Sequence, residues 1–87
     1  MPHFIAAHQV AFTEEQLQAL AARRHEIAAG TIWRSTYCSF ADGVSYCHWE
    51  APNAEAILQV FKDFEVPYEA LHEVRRFDPA AAKLEAA

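Results

Sequence analysis

The sequence predicts an α+β domain of the ferredoxin-like kind, in which a βαββαβ order forms a four-stranded antiparallel sheet with two helices on one face. Three observations favour this fold. Strand-like runs alternate with two helical stretches in that order. Asp42-Gly43 joins the two central runs, and this dipeptide is a strong hairpin signal. The length of 87 residues suits a single small domain. We expect the domain to span residues 1–77, and the alanine-rich C-terminal tail at residues 78–87 to be a short helix or frayed.

The first half of the chain predicts one strand and one helix. Residues 2–10 carry β-forming side chains and are expected to form the first strand. Thr13 and Gln16 fit a capping box, with Thr13 as the N-cap and Gln16 three residues later. The apolar residues that follow recur at helical spacing, so we expect the first helix to continue to about Ala28. Gly30 then suits the end of that helix.

The second half predicts a hairpin, a helix and a last strand. Residues 31–40 and 44–50 form the two strands on either side of the Asp-Gly turn. Asn53 is a good N-cap for the second helix. Pro67 cannot continue that helix, so the helix ends before it. Residues 68–77 are expected to form the fourth strand.

Composition and charge argue against several classes of function. The net charge is −5 and no basic stripe is present, so nucleic acid is not an expected partner. No apolar run approaches the ~18 residues typical of a membrane-spanning helix. The N-terminus lacks the charged and apolar regions of a signal peptide, so we expect a cytoplasmic protein. Cys38 and Cys47 are then expected to be reduced, with a disulfide between them as the minor alternative.

The open face of the predicted sheet is expected to carry aromatic side chains. Side chains alternate along a strand, and neither set in the central strands is cleanly apolar, so something is expected to cover both faces. A face carrying several of Phe4, Trp33, Tyr37 and Trp49 would be a large apolar patch of the kind that marks an interface or a ligand pocket. We therefore expect a homodimer that packs sheet face on sheet face, with a pocket between the copies. The alternative is that these aromatics pack under the helices.

Part of the hairpin resembles a known family. The resemblance rests on Trp33-x-Ser35-x-Tyr37, then Tyr46-Cys47-x-x-Glu50-Ala51-Pro52, then a helix that ends before Val66-Pro67. These features are similar to small nickel-binding, nickel-responsive proteins, which belong to a larger bacterial domain family of unknown function. The likeness covers about residues 2–77. It implies a ferredoxin-like dimeric α+β barrel whose facing sheets can hold a metal ion, with His8 and Cys47 at the positions that carry over as ligands.

His8 and Cys47 are the candidate metal ligands. They lie on strands that are neighbours in this fold and could share a face of the sheet. Imidazole and thiolate suit nickel, zinc or copper. Two ligands do not close a site, so a second copy would have to supply two more, or His48 and Glu50 would have to contribute through a bulge. The alternative is a buried histidine with a hydrogen-bond partner and a small buried cysteine.

Three classes of function therefore stay open. The first is a small metal-binding protein that holds nickel or another divalent transition metal on the sheet face or in the dimer pocket. The second is a small isomerase or tautomerase, because the Met1-Pro2 start resembles enzymes that use an N-terminal proline as general base, which here would be Pro2. The third is a non-catalytic protein that binds a small molecule or a partner. We favour the first, and we expect no nucleotide or redox cofactor because no glycine-rich loop is present.

Overall fold

Four strands form one antiparallel sheet, and the two helices cover the same face of it. The computed structural model describes residues 1–86. In chain order its elements are β1 (His3–His8), α1 (Glu14–Ala22), a 3₁₀ turn (Arg24–Glu26), β2 (Ile32–Ser39), β3 (Val44–Glu50), α2 (Ala54–Asp63), β4 (Ala70–Val74), β5 (Phe77–Asp78) and β6 (Lys83–Leu84). The sheet order is β2-β3-β1-β4, which confirms the ferredoxin-like fold.

A β-bulge at Arg34 changes the direction of the side chains along β2. Trp33 lies opposite Trp49, but the next paired residue of β2 is Ser35, which lies opposite His48. One extra residue on a strand reverses the alternation of faces beyond it. Trp33 therefore faces the helices, whereas Ser35 and every second residue after it face the open side. The prediction that Trp33 and Tyr37 share the open face was wrong for Trp33, because it assumed an unbroken alternation.

The core lies between the sheet and α2. Its buried residues are Phe4, Ala6, Cys47, Trp49, Ala51, Ile57, Val60 and Phe61. Burial of one large aliphatic side chain such as Ile57 stabilises the fold by roughly 1.5–3 kcal/mol. α1 has no fully buried residue. It covers the core through Leu17, Leu20 and Ala21, which are half-buried.

Both helices begin where the sequence predicts. The Thr13 hydroxyl accepts a hydrogen bond from the Gln16 amide at 3.1 Å, and the Gln16 side chain accepts one from the Thr13 amide at 2.9 Å. This is the capping box. The Asn53 side chain accepts from the Ala56 amide at 3.0 Å. Both sets of bonds satisfy amides that have no partner inside the helix.

The first helix ends at Ala22 and not at about Ala28. A 3₁₀ turn follows, and it lets Ile27 pack against the core. Gly30 has a φ of 89°, a left-handed conformation that favours glycine and turns the chain into β2. Helical spacing of apolar residues extends past this point in the sequence, but Ile27 packs against the core from the end of the 3₁₀ turn and not from a continued α-helix.

The C-terminal tail forms a short hairpin in place of the expected helix or frayed end. β5 and β6 pair with each other, and the Glu85 amide donates to the Arg76 carbonyl at 2.8 Å. β4 is correspondingly shorter than predicted and ends at Val74. The last residue, at position 87, lies outside the described part of the chain. None of the helices in residues 1–86 combines the length and the hydropathy that a membrane-spanning helix needs.

Candidate functional site

Two histidines meet on the open face of the sheet. His3 begins β1 and lies opposite Glu50, while His48 lies opposite Ile5. His48 and Glu50 are two residues apart on β3 and share a face, and His3 lies opposite Glu50 on that same face. All three side chains therefore point away from the helices. His3 Nδ1 lies 2.8 Å from His48 Nε2, and the two rings stack with centroids 5.1 Å apart. One ring nitrogen must donate and the other accept, so at least one of these imidazoles offers a lone pair at this point.

A carboxylate and a guanidinium support this histidine pair. Glu50 Oε1 lies 3.4 Å from His3 Nε2, and the other carboxylate oxygen accepts from Arg34 Nε. The hydrogen bond from Arg34 lowers the pKa of Glu50, so the carboxylate is ionised at neutral pH. Arg34 is the extra residue of the β2 bulge. The bulge thus brings a positive charge to the open face, where it holds Glu50 beside His3.

Burial and charge favour a neutral ring for His48. Burial is the main cause that lowers the pKa of His48, and electrostatic repulsion by the neighbouring His3 ring lowers it further. Glu50 opposes these effects. A neutral imidazole is the form that binds a metal ion.

The spacing of the two ring nitrogens suits two ligands of one ion. Imidazole nitrogens bind zinc at about 2.0–2.1 Å, so two adjacent ligands of such an ion lie roughly 3 Å apart. Metal-bound histidines commonly donate their other ring N–H to a carboxylate, and Glu50 lies where it could accept from His3 Nε2. Among residues 1–86, however, no three His, Cys, Asp or Glu side chains are placed to hold one ion. The two histidines alone do not close a metal site.

A cleft adjoins the pair. It has a volume of about 340 Å³, and its walls include both histidines and Tyr37. Arg75, Arg76 and Glu85, from the segment around the C-terminal hairpin, also line it. The open face therefore offers room for additional ligands next to His3 and His48.

The two predicted metal ligands lie on the other face of the sheet. His8 is 1% exposed, and its Nδ1–H donates to the Pro67 carbonyl at 2.7 Å. Cys47 is 5% exposed and lies 3.1 Å from the Thr36 hydroxyl. The register puts His8 opposite Ser45 and Cys47 opposite Ala6. His8 and Cys47 therefore share a face of the sheet but do not lie directly opposite each other. That face is covered by the helices.

Burial sets the chemistry of His8 and Cys47. It lowers the pKa of His8 and raises the pKa of the Cys47 thiol, and both shifts favour the neutral form. His8 Nε2 has no hydrogen-bond partner among residues 1–86. Both Cys38 and Cys47 are free thiols.

Only one of the four aromatic residues expected on the open face lies there. Phe4 and Trp49 are 3% and 4% exposed in the core. Trp33 stacks on Trp49 with ring centroids 6.2 Å apart. Tyr37 is 64% exposed and lines the cleft. The expectation was wrong for Phe4 and Trp49. Each is a direct neighbour along its strand of polar residues that point to the open face, so each points to the opposite face.

His3 is the site residue that the sequence reasoning missed. The sequence carried an indication of this position. His3 and Ile5 are two residues apart on β1 and share one face, while Phe4 and Ala6 form the apolar face that a core requires. His48 and Glu50 were expected to contribute to the site of His8 and Cys47 only through a bulge, but β3 pairs with β1 in regular register, so both point to the face opposite Cys47. Pro2 is half-buried, and its carbonyl accepts from the Ala51 amide at 3.1 Å.

Comparison with known proteins gives two matches. A family model described as nickel responsive protein SCO4226-like matches residues 4–74. The crystal structure of SCO4226 from Streptomyces coelicolor A3(2) matches with a TM-score of 0.66 and 28% sequence identity, over 83% of this chain and 94% of that chain. No curated protein matches the sequence. The family match runs from the second residue of β1 to the last residue of β4. The chain therefore belongs to the SCO4226-like family of nickel-responsive proteins.

Proposed function

We propose that this protein binds a divalent transition-metal ion on the open face of the sheet, with His3 Nδ1 and His48 Nε2 as ligands. The 2.8 Å between these two nitrogens is the observation that carries the proposal. That distance is close to the spacing of two adjacent ligands. An ion would replace the proton shared by the two nitrogens, and both rings would turn so that their lone pairs point at it. The family is described as nickel responsive, and imidazole is a good nickel ligand, so nickel is the ion we propose.

Glu50 would act as the outer carboxylate of this site. It lies 3.4 Å from His3 Nε2 and would accept the proton that this nitrogen keeps when Nδ1 binds the ion. Arg34 pairs with Glu50, which fixes the carboxylate. The net charge of −5 also attracts cations to the molecule as a whole.

Titration calorimetry with nickel chloride at neutral pH tests the site. We expect His3→Ala and His48→Ala each to weaken binding by about a hundredfold or more, because each removes a direct ligand. Glu50→Gln should weaken it by about 10–100-fold, as outer carboxylates commonly do. His25→Ala is the matched control, since His25 is an exposed histidine in the 3₁₀ turn that follows α1 and not on the sheet.

The same titration distinguishes the two candidate pairs. His8→Ala and Cys47→Ala should leave nickel affinity close to that of the wild type in protein that is still folded by circular dichroism. Loss of binding in these two variants, with His3→Ala and His48→Ala unaffected, would place the ion in the core and contradict the proposal. Absence of nickel binding by the wild type would contradict both locations.

We also propose that two copies pack open face on open face. Tyr37 and Tyr46 lie opposite each other on this face and are 64% and 45% exposed. Exposed apolar patches commonly mark contacts between copies of a protein. A twofold axis that brought two copies together would also bring their two pairs of imidazoles together, which gives four ligands.

Sedimentation equilibrium tests this: Tyr46→Glu should shift a dimer to a monomer. Phe40→Glu is the control, because Phe40 is 70% exposed but lies after β2, beside the hairpin turn. A monomeric wild type would contradict the proposal.

A further inference from the structure

The cleft on the open face carries an excess of positive charge. Apart from its two histidines, its charged walls are the guanidinium groups of Arg75 and Arg76 and the carboxylate of Glu85. Arg75 Nε donates to the backbone carbonyl of Glu85 at 3.1 Å. No carboxylate of residues 1–86 lies within ion-pair distance of Arg75. The described part of the chain therefore leaves one positive charge of the cleft without a negative partner.

The guanidinium of Arg76 is already oriented to bind a carboxylate. Its Nε and Nη2 donate to the two carboxylate oxygens of Glu85, at 2.5 Å and 3.0 Å. Two parallel bonds of this kind are the geometry by which arginine recognises a carboxylate. Glu85 thus supplies, from the chain itself, the group that this arginine is placed to bind.

The ion pair of Arg76 with Glu85 is easily replaced. Their side chains are 68% and 48% exposed. Exposed ion pairs add little to stability, because water competes for both charges and two long side chains lose freedom. The backbone of Glu85 is held separately, since its amide donates to the Arg76 carbonyl at 2.8 Å. The carboxylate can therefore turn into solvent while this backbone bond of the hairpin stays in place.

The other walls of the cleft suit the body of a small organic molecule. Ile5 and Val74 are apolar and half-buried, and Tyr37 adds an aromatic ring. The volume of about 340 Å³ lies near the lower end of the ~300–1,000 Å³ range of small-molecule pockets. Such pockets combine apolar walls with a few polar groups that orient the ligand. An inorganic anion would leave the apolar walls without a partner.

We propose that the cleft binds a small organic carboxylate, whose head group replaces the carboxylate of Glu85 on Arg76. The apolar body of that molecule lies against Ile5 and Val74. One carboxylate is exchanged for another on the same guanidinium, so the number of charge-assisted hydrogen bonds is unchanged. Burial of the apolar body then favours the ligand, and Arg75 adds a positive charge to the same cleft. Glu85 acts as an internal competitor that the ligand displaces.

An NMR titration of the full chain with phenylacetate, without added metal, tests this site. Phenylacetate has one carboxylate and one aromatic ring, and phenylacetamide is its uncharged counterpart. We expect phenylacetate to shift the methyl signals of Ile5 and Val74, and phenylacetamide at the same concentration to leave them unchanged. Equal shifts with both compounds would overturn the proposal, because they would show that the carboxylate has no role.

The variant Arg76→Gln tests the guanidinium. It should weaken phenylacetate binding by about tenfold or more, because it removes the charge-assisted hydrogen bonds to the carboxylate. Arg24→Gln is the matched control: it also removes one positive charge, but Arg24 is an exposed residue of the 3₁₀ turn. This control should keep the wild-type affinity. Wild-type affinity in Arg76→Gln, or an equal loss in Arg24→Gln, would overturn the proposal.

The variant Glu85→Gln tests the internal competitor. It should bind phenylacetate several-fold more tightly than the wild type, because Arg76 no longer holds a carboxylate of the chain. Glu73→Gln also removes one negative charge, but Glu73 lies opposite the core residue Phe4 and outside the cleft, so it should keep the wild-type affinity. No gain in Glu85→Gln, or an equal gain in Glu73→Gln, would overturn the proposal. Since no metal is added, each result is independent of nickel binding.

Discussion

His8 ties the end of β1 to the loop that follows α2. Its Nδ1–H donates to the Pro67 carbonyl, and its ring meets the edges of Phe12 and Phe61 with centroids 5.2 Å and 5.4 Å away. A neutral ring suits these apolar neighbours, whereas a charged ring would lose its hydration without a carboxylate to compensate. Burial accordingly lowers the pKa of His8.

This burial predicts a loss of stability in acid. In the unfolded chain His8 takes up a proton at about pH 6.5, while in the folded protein it does so only at lower pH. The contribution of His8 is therefore complete above about pH 6.5 and falls as the pH decreases toward the folded pKa, by at most about 1.4 kcal/mol per pH unit.

Urea unfolding between about pH 7.5 and pH 5 measures this effect. We expect His8→Gln, in which the amide can still donate to Pro67, to be less sensitive to acid than the wild type. His25→Gln, which changes an exposed histidine in the 3₁₀ turn, should keep the wild-type pH dependence. Identical pH dependence in His8→Gln and the wild type would contradict the account of His8.

At the scale of the element, the end of α2 stores backbone strain. Glu65 follows the helix with a φ of 56°, a left-handed conformation that costs a non-glycine residue about 1–2 kcal/mol. The Val66 amide donates to the Phe61 carbonyl at 2.8 Å, and the Glu65 amide donates to the Lys62 carbonyl at 3.3 Å. These two bonds form a Schellman motif, whose left-handed position is usually glycine.

Glu65→Gly should therefore stabilise the protein. We expect a gain of about 0.5–1 kcal/mol in the free energy of unfolding, because the relief of strain exceeds the greater freedom of glycine in the unfolded chain. Gln59→Gly, in the middle of the same helix and exposed, should lose about 1 kcal/mol. Urea unfolding of the three proteins measures both values. A less stable Glu65→Gly protein would show that the side chain of Glu65 contributes more than its conformation costs.

Elements bounded by strong local signals could be predicted from the sequence. The bounds of β3 match the prediction because Asp42-Gly43 fixes its start and Pro52 follows its end closely. The tail could not be predicted in the same way. Its alanines favour a helix, whereas the hairpin forms by backbone pairing of β5 with β6, and the Pro-Ala run between them is not a hairpin signal.

At the scale of the whole molecule, the layout of the sheet could be predicted, but the side of the sheet that carries the site could not. His8 and Cys47 share a face as expected, and the helices cover that face. The face to which each side chain of β2 points depends on the bulge at Arg34, and the residues around Arg34 do not indicate a bulge. The contact between His3 and His48 can be recognised only once the pairing of β1 with β3 is known.

Crystals grown with nickel and measured at the nickel absorption edge test the central claim most directly. We predict an anomalous peak about 2.1 Å from His3 Nδ1 and from His48 Nε2, on the face of the sheet that the helices leave open. A peak in the core between His8 and Cys47, or a peak in contact with neither histidine of the open face, would contradict the account.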